Sequence, residues 1–160
     1  MSSDGSTVLF GALPAQFPFS ASDKRVLTRF ARKLSAQIAQ GKYFECLITD
    51  DREMQRLNHS FLKHNYPTDV LSFPTEGQPF ALGECAISVE RAAEQSREFG
   101  HSLLQEIQIL MLHAVLHLTG FDHEKDAGEM ARAESRWRAE FKLPQTLIER
   151  SQQPLASASL

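Results

Sequence analysis

The sequence predicts an α+β fold, a small mixed β-sheet with several packed helices. Three observations carry that prediction. The chain has 160 residues, the size of one domain. Four short segments alternate as strands do, and longer segments between them repeat their apolar residues every three or four positions. The two kinds are mixed without strict alternation, which points to α+β. Residues 1–150 are expected to form the single domain, and the small, polar stretch 151–160 a disordered tail.

The elements follow in order. Residues 1–20 hold Gly5, Gly11, Pro14 and Pro18, with room for one short strand at residues 8–10. Val26, Leu27, Phe30, Ala31, Leu34 and Ile38 predict a helix over residues 22–40, opened by Ser22 and closed by Gly41. Residues 43–49, YFECLIT, read as a strand. Asp50 opens the next helix, with Glu53 three residues on in a capping-box pattern and Met54, Leu57 and Phe61 as its apolar stripe. Residues 69–75 read as a strand that Pro74 ends or places at an edge. Residues 82–88 form another strand, in which Gly83 marks a bulge or a close backbone approach, and Ser88 caps a helix over 89–99. Gly100 breaks that helix. Residues 102–119 are the most apolar helix and carry apolar residues on more than one face, so this helix runs through the core and stops at Gly120. A last helix is expected over 126–141, with Met130, Ala133, Trp137 and Phe141 on one side.

Composition excludes several classes. Hydrophobic residues make up 42% and charged residues 23%, which rules out wholesale disorder. Cys46 and Cys85 are too few for a disulfide framework, and read as small apolar groups within strands. No window supplies the ~18 apolar residues of a membrane span. The N-terminus lacks the basic start and apolar core of a secretory signal. The expectation is a cytoplasmic protein with reduced thiols and no membrane contact.

The net charge of −3 hides an asymmetry. Residues 24–63 hold nine basic and four acidic side chains, and residues 84–140 hold six basic and eleven acidic. The basic half suits an anionic partner, although charge runs of this size also arise as solvated helix faces.

The chemistry is concentrated in residues 113–123, HAVLHLTGFDH, which hold half of the six histidines. His113 and His117 are four apart on a helix, so their imidazoles share one face about 6 Å apart along the axis. Gly120 lets the chain turn, and His123 follows where a tight turn brings it back over that face. Two unpaired imidazoles in an apolar helix are costly to bury. A metal site on His113, His117 and His123, at the end of the core helix, is therefore expected. Three nitrogen ligands leave a fourth position open, as catalytic rather than structural zinc sites do, although nitrogen ligands also suit nickel, copper and iron. Glu84 and Asp122 are candidates to orient a histidine through its second nitrogen, Asp122 the better of the two.

The spacing HxxxHxxGxxH also fits the ligand frame of metzincin proteases. Those enzymes place a glutamate, the general base, after the first histidine. Ala114 stands there, and the protease reading loses its mechanism.

The histidine segment, with Leu116, Leu118 and Asp122, resembles the HxxLHLxGyDH signature of the YbeY family of bacterial endoribonucleases. Two further segments agree in order and spacing: residues 67–74, PTDVLSFP, preceded by Leu57-Asn58, and residues 82–88, LGECAIS, similar to the family's LGDIvIS. The resemblance covers roughly residues 43–141. It implies an α+β fold, about one zinc per chain on His113, His117 and His123, and single-strand-preferring RNA cleavage. It also implies a role in ribosomal RNA maturation, at late-stage 16S processing and ribosome quality control. The implied partners are single-stranded RNA, ribosomal RNA and the ribosomal small subunit, with no DNA. Leu62 departs from the pattern, since the family often carries an arginine there; Lys63 stands beside it as a substitute cation. Arg25, Arg29, Arg32 and Lys63 are the candidate RNA contacts. A second reading, a ribosome-assembly partner with a mainly structural metal, calls for a fourth protein ligand, for which His101 or His64 would have to arrive through folding.

Overall fold

The computed structural model describes residues 5–62, 68–122 and 125–144. Lys63, His64, His123 and the expected tail at 151–160 lie outside the described residues. Within them the architecture is the expected mixture of sheet and helices. Strands β1 (Thr7–Phe10), β2 (Tyr43–Thr49), β3 (Val70–Pro74) and β4 (Ala81–Ser88) form one sheet in the order β1-β2-β4-β3. β1, β2 and β4 run parallel, and β3 pairs antiparallel with β4 at the edge. Pro74 ends that edge strand, where its missing N–H costs no ladder bond.

The helices are α1 (Ala21–Gln37), α2 (Asp51–Leu62), α3 (Val89–Phe99), α4 (Leu103–Leu118) and α5 (Glu129–Phe141). β1, α1 and β2 make a parallel crossover unit, the connection that parallel pairing demands. Strand alternation sorts the sheet into two faces. Phe44, Cys46 and Ile48 of β2, with Cys85 and Ile87 of β4, join the main core with α1 and α4. On the other face Leu71 and Ala86 pack with Met54 of α2, flanked by Leu47, Leu57 and Phe73.

α4 is the centre of the main core. Eleven of its residues are buried. Ile107, Ile109, Leu110, Met111, Leu112 and Leu116 are fully so. At ~1.5–3 kcal/mol per side chain, these six contribute roughly 9–18 kcal/mol of burial before ordering entropy is subtracted. A capping box starts the helix: Ser102 Oγ accepts the Gln105 N–H at 3.0 Å, and the Gln105 side chain accepts the Ser102 N–H at 3.0 Å.

Several local details differ from the sequence reading, among them the end of α1, which comes at Gln37 rather than residue 40. α1 is capped by Ser20 rather than Ser22, because Asp23 at its third position completes a reciprocal pair with Ser20, both bonds 3.0 Å. Asp50 Oδ1 accepts the Glu53 N–H at 2.9 Å as expected, but the Glu53 carboxylate turns forward to Arg56 instead of closing the box. α5 begins at Glu129, three residues late, because Gly128 sits in the left-handed region at φ 96°. Asp126 still caps it, accepting the Gly128 and Met130 N–H groups at 2.9 Å each. Leu62, read as a loop residue, is the last residue of α2.

Gly83 is the point where α4 rests on the sheet. Its φ is 152°, and a Cβ there would lie 2.5 Å from the Phe73 carbonyl oxygen and 2.9 Å from Leu118 Cδ2. The register between β2 and β4 shifts beside it, at Tyr43 and Phe44. The close approach expected of this glycine is therefore present, and it sets how near the end of α4 comes to β3 and β4.

Candidate active site

The last two turns of α4 carry His113 and His117, with ring centroids 4.8 Å apart and ring planes at 72°. Both line an open groove of about 320 Å³ between α4 and the edge strand, together with Val70, Ser72 and Pro74 of β3. Ser72 Oγ donates to the Ala114 carbonyl at 3.5 Å, tying the strand to the helix between the two histidines. His113 is buried and His117 half-buried.

His113 is oriented from behind. Its Nδ1 lies 2.5 Å from Oε2 of Glu134, a fully buried carboxylate on α5. With Nδ1 committed to Glu134, Nε2 is the nitrogen that a metal would take. A carboxylate behind a ligating imidazole fixes the tautomer and raises the basicity of the ligand. Two imidazoles on one helix face, one held in this way, fit a nitrogen-preferring divalent ion. Among the described residues no three histidine, cysteine or carboxylate side chains form a complete metal cluster. His123, the expected third ligand, falls outside them.

Glu134 is the residue that sequence reasoning missed. Its signal was a carboxylate four residues after Met130 and three before Trp137, inside the apolar stripe of α5. Glu84, by contrast, is exposed on the opposite sheet face, beside Glu45 and Phe73, and does not serve the histidines. The Asp122 carbonyl accepts the N–H groups of Lys125 and Asp126 at 3.1 and 3.0 Å.

The candidate RNA contacts on α1 share one surface. Arg25, Arg29 and Arg32 are exposed and line a shallow groove with Lys24 and Thr28. The opposite side of α1 is buried through Leu27, Phe30, Ala31 and Leu34. Lys24 also reaches the ring of Phe10, its Nζ 5.0 Å from the centroid. Lys63 lies outside the described residues.

The two cysteines take no part in the groove. Cys46 and Cys85 face each other in register across β2 and β4, both buried and free. A hydrogen bond with Cys85, together with burial, holds the Cys46 thiol well above its ordinary pKa. It stays protonated, unlike a thiolate ligand or nucleophile.

Comparison with known proteins supplies the family. The family model described as endoribonuclease YbeY matches residues 16–142. An endoribonuclease YbeY of Solibacter usitatus (strain Ellin6076) is 53% identical over 151 residues, covering 94% of this chain and 98% of its own. One of Koribacter versatilis (strain Ellin345) is 45% identical over 135 residues, covering 83% and 84%. The solution structure of TM1509 from Thermotoga maritima superposes with a TM-score of 0.56 at 23% identity, covering 85% of this chain and 91% of that one, which supports the fold alone. The histidine groove thus lies within the matched segment, and the chain belongs to the endoribonuclease YbeY family.

Proposed function

We propose that this chain is a zinc-dependent endoribonuclease that prefers single-stranded RNA and acts in ribosomal RNA maturation, at late-stage 16S processing and ribosome quality control. Family membership supports a hydrolytic nuclease with RNA as its substrate class. The observation that carries the reading is the His113–His117 pair on α4, backed by Glu134 and open to a groove.

His113, His117 and His123 would hold about one zinc ion per chain. Zinc supplies Lewis acidity toward water and toward a phosphoryl oxygen. The chain's own residues do the rest. Glu134 keeps the His113 ring in one tautomer and one orientation. β3 walls the groove with Val70, Ser72 and Pro74, which present little charge and leave room for a backbone phosphate. Arg25, Arg29 and Arg32, with Lys63, attract the RNA backbone. The place of action in this reading is the cytoplasm, and the partner is the ribosomal small subunit.

The test is cleavage of labelled ribosomal RNA by purified protein, with chelator and after zinc is restored, alongside elemental analysis of protein made without a histidine tag. Cleavage should stop with chelator and return with zinc. The His113→Ala/His117→Ala double variant should lose both metal and cleavage. Full zinc occupancy in that variant, or cleavage indifferent to chelator, would reject the reading.

A further inference from the structure

A second cleft lies on the other side of Leu118 from the histidine groove. It has a volume of about 370 Å³ and is lined by Gln37 at the end of α1, by Gln40 and Lys42 after it, by Thr119 and Phe121 after α4, and by Trp137 of α5. Leu118 lines both cavities, so the two flank this one side chain at the end of α4. The volume falls within the ~300–1,000 Å³ of small-molecule sites. We propose that this cleft binds one nucleobase of single-stranded RNA, next to the nucleotide whose phosphate lies in the histidine groove. The proposal rests on the endoribonuclease reading of that groove.

The lining has the chemistry that unpaired bases require. Such bases stack on aromatic rings or arginine planes, and their edges hydrogen-bond to side chains. The Trp137 indole is held in place by Phe141, stacked at 21° with centroids 5.6 Å apart, and by the Arg136 guanidinium 4.8 Å from its centroid. Trp137 and Phe121 thus bring two aromatic side chains to the lining, the first of them held in position. Gln37 and Gln40 each bring an amide with both donors and an acceptor, the pattern that reads a base edge. Lys42 adds a cation for the adjoining phosphate.

Backbone geometry fixes where Gln40 stands at the rim of the cleft. Gln40 has φ 56°, a left-handed conformation that glutamine rarely adopts, and Gly41 follows at φ 85°. The turn is locked from within the core. The Gly41 N–H donates to the Ser35 carbonyl at 2.9 Å, and the buried Ser35 hydroxyl donates to the Lys42 carbonyl at 2.6 Å. A glycine at position 40 would satisfy this turn with less strain. A glutamine held there instead, with its residue lining a cleft, is the kind of strain that gathers at binding sites.

Trp137 is the one tryptophan of the chain, so its fluorescence reports on this cleft alone. The experiment titrates metal-free protein in chelator with a five-nucleotide oligoadenylate, reading tryptophan emission and, in parallel, anisotropy of an end-labelled oligonucleotide. Emission should change saturably with the same midpoint as anisotropy. Gln40→Gly relieves the backbone and removes the amide, so it should melt no lower than the parent while weakening binding about five- to tenfold, the loss of one hydrogen bond. Lys42→Ala should weaken binding as well and flatten its salt dependence. Anisotropy without a change in emission, no binding at all, or Gln40→Gly binding as tightly as the parent would each overturn the cleft. Cleavage of labelled RNA by zinc-loaded protein, run beside these, separates the two readings. Absent cleavage with intact emission changes rejects the nuclease and keeps the cleft, and the reverse rejects only the cleft.

Discussion

Nδ1 of His113 and Oε2 of Glu134 lie 2.5 Å apart across the packed surfaces of α4 and α5, twenty-one residues apart in the chain. The carboxylate is fully buried and the imidazole nearly so. Substituting Glu134 therefore tests the proposed metal site without touching any of its three proposed ligands. Glu134→Gln should weaken zinc binding about 10- to 100-fold, the usual effect of losing a carboxylate behind a ligating histidine. Glu134→Ala should also cost about 1–3 kcal/mol of stability by leaving a buried ring nitrogen without its partner. Chelator competition reads the first effect and urea unfolding of metal-free protein the second. A Glu134→Ala protein that holds zinc as the parent does would show that His113 is oriented by something else.

Gly83→Ala should destabilise by about 2–4 kcal/mol, from a left-handed φ and from crowding against Phe73 and Leu118. The displaced end of α4 carries His117, so zinc affinity should fall together with the urea midpoint. An alanine variant as stable as the parent would mean that β3 and α4 give way at no cost.

The Cys46 thiol gives a stability term that depends on pH. Its pKa is raised in the folded chain by the Cys85 thiol and by burial. The folded state thus keeps a proton that the unfolded state releases above its ordinary thiol pKa of ~8.5. The contribution is complete below that pH and is lost as pH rises while only the unfolded thiol ionises. Parent and Cys46→Ala proteins, unfolded in urea at pH 8 and pH 10 under reductant, should differ less at pH 10. An unchanged difference would mean that Cys46 ionises alike in both states.

Replacing Arg25, Arg29 and Arg32 together by glutamine should weaken single-stranded RNA binding and lower the slope of log affinity against log salt by about two, at ~0.7 per lost phosphate contact. The three are exposed along one groove of α1, away from its buried side, so the melting temperature should stay within a degree or two. An unchanged salt slope would mark the groove as an ordinary solvated surface.

Legibility in the sequence followed the range of the interaction. β2 and α3 match their expected bounds, and α4 comes within one residue at each end, because apolar period and local caps define them. The start of α5 was misplaced by Gly128, whose left-handed φ a helical pattern does not reveal. The i,i+4 histidines were visible because both lie on one helix. Glu134 was not, because a lone carboxylate on a helix reads as solvated until tertiary packing sets it against His113. The counterpart error was Glu84, which lies in another of the family-like motifs and is turned to the other sheet face by strand parity.

α4 owes its seat to apolar side chains on almost every side, and the histidines occupy only its last turns. Assembly of the helix and arrival of an ion are therefore separate events. In a zinc finger the metal is the core, and chelation unfolds the chain. On the metal site proposed above, chelation would instead leave a nearly finished template ready to be reloaded. Metal supply would then set how many molecules are active at a given moment, while the number of folded molecules stays constant.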